Sequence, residues 1–505
     1  MRLGASLANV AWLTRSRLAE RRFARALSDP RRVQEAWLQA RLARHATSAF
    51  GREHDFGRIP DARAFSRQVP MMEPTQLEPW VERVRNGESN VLAEGRVTHL
   101  VPTSGSTGAR KLIPFSRDLQ QGFDAAVAAW LVDLARQRPA LLWGPAYWSV
   151  SPLVDDAASS TEAVPIGFAD DAEYIGGAGA WLVRQTLAGP SSLRHERDIE
   201  TFWHRTVRAL LAHRDLRLIS VWHPSFVDLL VAAAERHWTA ALEELAPSRA
   251  RELRQIGVED WPRWWPHLQV VSCWGDQAAA PGFHSLVARL PHVAVQAKGL
   301  LATEAVVTIP HSGMYPLAVT SHYFEFLDAS GDVRGSHELE RGAHYEVVVT
   351  NGGGLWRYRL GDVVECTGHL FATPTLRFVG RQARQSDLRG EKLSEPFVAE
   401  VLRALWPGAP PAYRALRAWD SGHGAGYELL VSVGDLAEEH EGLAVRLDAA
   451  LSANPHYVIA RRLGQLAPPR VVPVNADRGV QDLVATPGRL GDTKPGVLLG
   501  AGGAR

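Results

Sequence analysis

Thr103, Ser104, Gly105, Ser106, Thr107 and Gly108 form a short run that Lys111 closes three residues later. Glycines let backbone N–H groups turn toward an anion, the hydroxyls add neutral donors and the lysine adds a point charge. That combination suits a bound polyphosphate. The run departs from G-x-x-x-x-G-K-[ST], because its second glycine comes early and Leu112 follows the lysine. Taken alone it also reads as an ordinary surface turn.

Three further stretches carry groups of complementary chemistry. Lys298-Gly-Leu-Leu-Ala-Thr303-Glu304 follows an apolar approach and sets a hydroxyl beside a carboxylate at an expected strand end, where open α/β sheets bind ligands. Glu304 could hold Mg²⁺ against phosphate oxygens, since magnesium takes one or two carboxylates plus phosphates rather than a protein cage; a surface glutamate is the plain alternative. Tyr358-Arg-Leu-Gly-Asp362 presents a carboxylate suited to two vicinal ribose hydroxyls, or simply an aspartate in a β-turn. Arg381 could reach phosphate or ribose, or form an interdomain ion pair. Leu490-Gly-Asp-Thr-Lys494-Pro-Gly sets a lysine between glycines, a position that also fits a solvated tail.

Composition sharpens the lysines. Only Lys111, Lys298, Lys392 and Lys494 occur among 56 basic residues, the rest being arginine. Arginine thus serves where positive charge is enough, and the lysines are candidates for sites that need a compact ammonium. A net charge of +1 gives no pull toward nucleic acid. Two distant cysteines, Cys273 and Cys366, suit a reducing cytoplasm, and the histidines show no zinc spacing. Leu3–Leu13 is apolar enough to raise a signal peptide, but arginines follow it without a cleavage site, and no run is long enough to span a membrane.

The elements that must position these groups follow from patterning. Asp29-Pro30 reads as a helix start, with apolar spacing carried to Gly51. Val97–Val101 and Lys111–Phe115 read as strands on either side of the Ser/Gly run, and a helix begins at Ser116. Strand-to-strand placement argues against the strand–loop–helix of a P-loop kinase or motor. From 140 to 300, apolar runs such as Leu218–Trp222 and Val270–Trp274 alternate with helical stretches such as Ser225–Leu245, which predicts α/β layers with parallel strands. Trp261–Pro266 is expected to be a packed aromatic loop, with ligand stacking as a minor alternative. Hairpin texture from 300 to 382 predicts a barrel-like β subdomain, and a small α+β domain is expected beyond. The boundaries are 1–382 and 383–505 in a chain of 505 residues.

Taken in order, TSGSTGARKLIPFS, KGLLATE, WRYRLGDVV and GDTKPG resemble the phosphate-loop, second-nucleotide, ribose and C-terminal lysine motifs of the GH3 acyl-acid amido synthetases, bacterial branch, within the adenylate-forming superfamily. The resemblance spans nearly the whole chain. It implies a large N-terminal adenylation domain, with mixed and parallel sheets and a distorted β-barrel, and a small mobile C-terminal domain. It implies ATP and Mg²⁺, a small carboxylic acid activated as acyl-AMP, and transfer to an amine, typically of an amino acid. A cytoplasmic monomer without a nucleic-acid partner is expected.

The implied roles are phosphate binding by Ser104–Gly108 and Lys111, with Thr107 as a hydroxyl donor, Mg²⁺ at Glu304 and ribose at Asp362. Lys494 would bridge the attacking carboxylate and the α-phosphate. Lys298 would neutralise a substrate carboxylate or a phosphate, and Lys392 would steady the interdomain segment. Plant relatives carry a tyrosine where this chain has Leu300–Thr303, leaving Trp274 or Tyr358 to meet the adenine. A thioester-forming acyl-CoA ligase and a non-catalytic nucleotide-binding regulator are the competing readings.

Overall fold

The computed structural model describes residues 3–102, 112–149, 164–165, 186–189, 193, 196, 198–276, 279–381, 385–386, 388–389, 391, 393–406, 411, 413–421, 424–432, 440–462, 465–474 and 497–499. Helices open the chain: α1 (Leu3–Ala26), α2 (Pro30–His45), α3 (Ala49–Glu53), α4 (Ala62–Gln68) and α5 (Pro74–Arg85). The apolar Leu3–Leu13 stretch lies within α1, whose Ala5 and Ala8 are buried. Asp29 caps α2 as expected, its carboxylate accepting from Arg32 N. The expected continuation to Gly51 is corrected, because α2 ends at His45 and Ser48 caps the separate α3 by accepting from Gly51 N. A capping hydroxyl satisfies a free N–H at a helix start, so Ser48 restarts the helix rather than extending the earlier one.

Next comes an antiparallel hairpin, β1 (His99–Pro102) and β2 (Leu112–Phe115), with Pro102 opposite Leu112, followed by α6 (Arg117–Gln137). The Ser/Gly run therefore joins strand to strand, and Thr103–Lys111 itself lies outside the described residues.

A parallel sheet follows in the order β3 (Ala146–Trp148), β4 (Leu218–Ser220), β5 (Val270–Cys273) and β6 (Ala294–Ala297). Helices α7 (Ile199–Leu211), α8 (Ser225–Glu243), α9 (Pro247–Ile256) and α10 (Ala280–Arg289) lie between those strands in sequence. Strands buried on both faces are mostly apolar, and β4 (Leu-Ile-Ser) and β5 (Val-Val-Ser-Cys) are buried along their whole length. Trp261, Trp264 and Trp265 are buried in the core beside this sheet, which leaves them a packing role rather than ligand stacking.

The β texture that follows takes the form of a five-stranded antiparallel sheet, β11–β10–β9–β7–β8. Its strands are β7 (Tyr323–Leu327), β8 (Val333–Gly335), β9 (His344–Thr350), β10 (Tyr358–Leu370) and β11 (Thr373–Arg381). It shares the largest hydrophobic core with α2, α5 and α6. Arg357 locks that core from within: it is 3 % exposed, pairs with Glu325 at 2.8 Å and donates to the carbonyls of Ser66 and Val69.

Beyond a short ladder of β12 (Gln385–Ser386) and β13 (Leu393–Ser394), the α+β region has its own core. It holds α11 (Glu395–Leu405), β14 (Arg414–Asp420), β15 (Ala425–Ser432), α12 (His440–Leu451), α13 (Pro455–Arg462), β16 (Arg470–Val474) and β17 (Leu498–Leu499). The sheet order is β16–β15–β14–β17, with β17 parallel to β14. The buried carboxylate of Glu395 accepts from Val497 N at 2.9 Å, pinning the start of β17 to the first turn of α11. Among the described residues no helix is long and apolar enough to cross a membrane.

Candidate functional site

Ser116 connects the β1–β2 hairpin to the Asn351–Gly354 turn. Its hydroxyl caps α6, accepting from Leu119 N at 3.2 Å, and donates to Gly352 O at 2.8 Å. The Asn351–Gly354 turn thereby lies against the exit of β2. At Gly353 the approach is so close that a Cβ would stand 2.6 Å from Pro114 O, which only glycine permits.

Asn351, fully buried between β9 and this turn, joins the turn to the next stretch. Its Nδ2 donates to Glu304 O at 2.7 Å, while its Oδ1 accepts from Gly353 N at 2.8 Å and Leu355 N at 3.2 Å. Thr303 and Glu304 sit half-buried at the tip of a tight turn closed by the Leu301–Val306 bridge and by Ala302 N donating to Ala305 O at 2.9 Å. Behind it, Val306 N donates to His322 Nε2 at 3.2 Å. Burial, with Arg41 nearby, pushes the His322 pKa down to about 3, so the ring stays neutral and can accept that bond.

Asp118 on α6 packs against Gly352 of the same Asn351–Gly354 turn. Burial works to raise its pKa, but contact with His45 and the charges of Arg41 and Arg44 outweigh that and hold it below the usual carboxylate range.

Among the described residues no group of three or more His, Cys, Asp or Glu could hold a metal ion. A single half-buried carboxylate, Glu304, on a braced turn has the chemistry to meet a cation that arrives with phosphate oxygens rather than one caged by protein.

Asp362 lies within β10 rather than in a β-turn. Gly361, at φ +71°, sits where the pairing with β9 shifts register, and Asp362 then stands opposite Arg381 on β11. The two expected ribose residues are thus cross-strand neighbours, although Asp362 is only 1 % exposed. Tyr358, expected near the nucleotide, is 2 % exposed and packs in the main core, so its ring offers no face to a ligand. Tyr358 stands on the buried face of β10, and an aromatic residue there is drawn inward by its apolar area.

Trp274 is better placed. A cavity of about 150 Å³ opens beyond the C-terminal ends of β5 and β6, with Trp274, Gly275, Gly299 and Leu300 on one side and Arg377 and Phe378 of β11 on the other. Lys298, the residue after β6, is buried beside it. Its ammonium lies 5.4, 5.3 and 5.5 Å from the ring centroids of Trp130, Trp148 and Trp222 and donates to Ser220 Oγ at 2.5 Å. Burial pushes its pKa down to about 7. Lys392 and Lys494 lie outside the described residues, as do Thr103–Lys111.

Sequence reasoning passed over two features of this site. Asn351 was legible only as a turn former, and the cage around Lys298 is assembled from α6, β3 and a residue just after β4. The scarcity of lysine, with its place at the head of the Lys298–Glu304 stretch, was the signal pointing at Lys298.

Known proteins place this architecture. Residues 19–247 match the GH3 family N-terminal domain and residues 315–381 the GH3 family central domain. The chain is 26% identical over 454 residues to the probable indole-3-acetic acid-amido synthetase GH3.12 of Oryza sativa subsp. japonica, covering 74% of this chain and 72% of that protein. The solved structure of AtGH3.15 acyl acid amido synthetase in complex with 2,4-DB superposes with a TM-score of 0.82 at 17% identity, over 96% of this chain and 94% of that one. A 2-hydroxyisobutyryl-CoA ligase in its postadenylation state with 2-HIB-AMP aligns at a TM-score of 0.52 and 13% identity, covering 93% and 88%. With both domain matches in sequence order and the same architecture carried through the C-terminal region, the chain belongs to the GH3 family and has the adenylate-forming fold.

Proposed function

We propose that this protein is an ATP-dependent ligase that activates a carboxylic acid as its acyl adenylate and passes the acyl group to the amine of an amino acid. In the first half-reaction a carboxylate oxygen attacks the α-phosphorus and pyrophosphate leaves. In the second the amine attacks the acyl carbonyl, AMP leaves and the nitrogen loses its proton. The observation that carries this reading is the junction at Ser116 and Asn351, which gathers the exit of β2, the Glu304 turn and the approach to β10.

The site residues take roles on this reading. Backbone N–H groups of Ser104–Gly108, the Thr107 hydroxyl and Lys111 would hold the β- and γ-phosphates. Glu304 would hold Mg²⁺, which when bound neutralises phosphate charge. Trp274, on the cavity wall, takes the adenine role that Tyr358 cannot. Asp362 and Arg381 would take the ribose, a role that requires the buried Asp362 carboxylate to be uncovered on nucleotide binding. Lys494 would meet the crowded negative charge between the carboxylate and the α-phosphate. A preorganised donor of that kind contributes about 3–4 kcal/mol. Residues 1–382 then form the adenylation domain, and 383–505 a smaller domain whose rotation delivers Lys494. Two buried free cysteines suit a cytoplasmic setting, and action as a monomer completes the proposal.

The test is pyrophosphate exchange across a panel of carboxylic acids, followed by AMP release with amino acids and with coenzyme A. Acid-dependent exchange, with AMP release stimulated by amino acids, is the expected result. Stimulation by coenzyme A alone would make the protein a thioester ligase, and tight ATP binding without exchange would make it a nucleotide-binding regulator. Exchange that survives unchanged in Lys494→Ala would remove that residue from adenylation.

A further inference from the structure

Lys298 is a buried cation to which no described residue supplies an anion. Among the described residues its sole hydrogen-bond partner is the Ser220 hydroxyl, which uses one of three N–H donors, and it has no ion pair. The remaining stabilisation comes from the faces of Trp130, Trp148 and Trp222, whose quadrupoles attract a cation without neutralising it. Burying a charge is costly unless it is paired, and here no described residue provides the pairing group.

The location says where that partner would come from. Lys298 follows β6 and reaches back to the side chain of Ser220, the last residue of β4, at the carboxyl edge of the parallel sheet where open α/β folds receive ligands. Its neighbours Ala297 and Gly299 line the cavity. Trp222, one wall of the cage, packs 5.8 Å from Trp274, which lines the cavity too, so cage and cavity are contiguous. Among the described residues the titratable group whose charge bears on Lys298 is the Cys273 thiol, itself pushed up to about 12 by burial and therefore no anion.

We propose that Lys298, held in its tryptophan cage, is the anchor for the carboxylate of the acid substrate, presenting it to the nucleotide in the neighbouring cavity. This rests on the adenylation reading above. An apolar, ring-walled setting selects a small organic carboxylate rather than a polyphosphate, whose charge a single ammonium cannot balance. It also accounts for a lysine in a chain that otherwise uses arginine: a planar guanidinium is a poor fit for a cage built around a compact ammonium. The depressed pKa is what an unpaired anchor shows before its anion arrives.

The experiment compares wild type with Lys298→Met, which replaces a buried charge by an apolar chain of similar length and is expected to fold. With the acid that supports the fastest wild-type exchange, KM for the acid should rise about 30- to 1000-fold while KM for ATP stays within about threefold. Separately, tryptophan fluorescence is titrated without ATP, using a panel of carboxylates that includes benzoate and each acid's neutral primary amide. Carboxylates should perturb wild type, amides should not, and Lys298→Met should respond to neither. Lys298→Arg, which keeps charge but not shape, should recover only part of the acid affinity.

An acid KM within about threefold of wild type in folded Lys298→Met, or a parallel rise in KM for ATP, overturns the anchor. So does a fluorescence response that ignores the charge of the probe. Absence of exchange in wild type with every acid sinks the ligase reading instead, and the fluorescence arm then decides the anchor by itself. Should Lys298→Met not fold, Ser220→Ala keeps the charge and loses its orienting partner. It should raise the acid KM about 3- to 10-fold and leave KM for ATP unchanged; an unchanged acid KM overturns the proposal.

Discussion

Replacing Asn351 by aspartate tests the junction with nearly no change of shape. The two bonds that Oδ1 accepts, from Gly353 N at 2.8 Å and Leu355 N at 3.2 Å, survive. The donor to Glu304 O at 2.7 Å becomes a second carboxylate oxygen, so that two acceptors face each other in a fully buried place. Losing the bond costs about 1 kcal/mol net, and orphaning the carbonyl adds about 1–3 kcal/mol. Asn351→Asp should therefore lose about 2–4 kcal/mol at pH 7 by guanidinium unfolding, and Asn351→Ala, which forfeits all three bonds, somewhat more.

The signature is the pH dependence of Asn351→Asp. Burial against a carbonyl raises the new carboxyl's folded pKa above its unfolded value of about 3.9. The folded state then binds the proton more tightly in that window, so stability falls as pH rises from about 4 through the raised pKa and is flat above it. Once protonated, the introduced carboxyl can again donate to Glu304 O, and the deficit should shrink toward pH 5. On the proposed role of Glu304, Asn351→Asp should also raise the Mg²⁺ needed for half-maximal pyrophosphate exchange at pH 7. A deficit under about 0.5 kcal/mol, or one equal at pH 5 and pH 7, would refute the assignment of Asn351 as the brace of the Glu304 turn.

Other perturbations follow from the same geometry. Gly353→Ala drives a Cβ to 2.6 Å from Pro114 O and should cost about 2–3 kcal/mol, seen as a lowered denaturation midpoint; a wild-type midpoint would mean that the turn can withdraw from β2. Arg357→Met leaves Glu325 buried without its partner and should cost about 3–5 kcal/mol, whereas replacing both residues by apolar ones should cost much less. His223 is buried, its pKa pushed down to about 4 from 6.5. Its unfolded form takes a proton first as pH drops, so its contribution is full above pH 6.5 and lost between 6.5 and 4. About 3 kcal/mol of stability rides on that window, and His223→Asn should flatten the unfolding profile across it.

Local chemistry made much of the frame readable. Ser116 announced its helix because a hydroxyl before a periodic run is a cap, and β4 and β5 announced themselves as short, largely apolar runs. The lysine count pointed to Lys298 before any geometry was known. What escaped were features made by convergence. Trp130, Trp148 and Trp222 come from separate elements, and nothing in their spacing says that they surround one ammonium. Asn351 advertises a turn, while its contact with Glu304 spans 47 residues of sequence. Tyr358 sits beside a glycine-rich turn, as a ligand residue would, yet its place on the inward face of β10 draws it into the core.

The bond between Glu395 and Val497 sets a limit on how the last lysine can travel. Val497 is the third residue after Lys494, and three extended residues span about 10 Å at most. Val497 is moored to the first turn of α11, and β17 beside it is laced into the β14 edge. Lys494 is thus a passenger on a short leash, and any larger excursion must be made by its mooring. If Lys494 acts as proposed, its delivery to the nucleotide would be a matter of moving a whole platform, so a crosslink between the two ends of that platform should leave it free to act, while one from platform to main body should stop it.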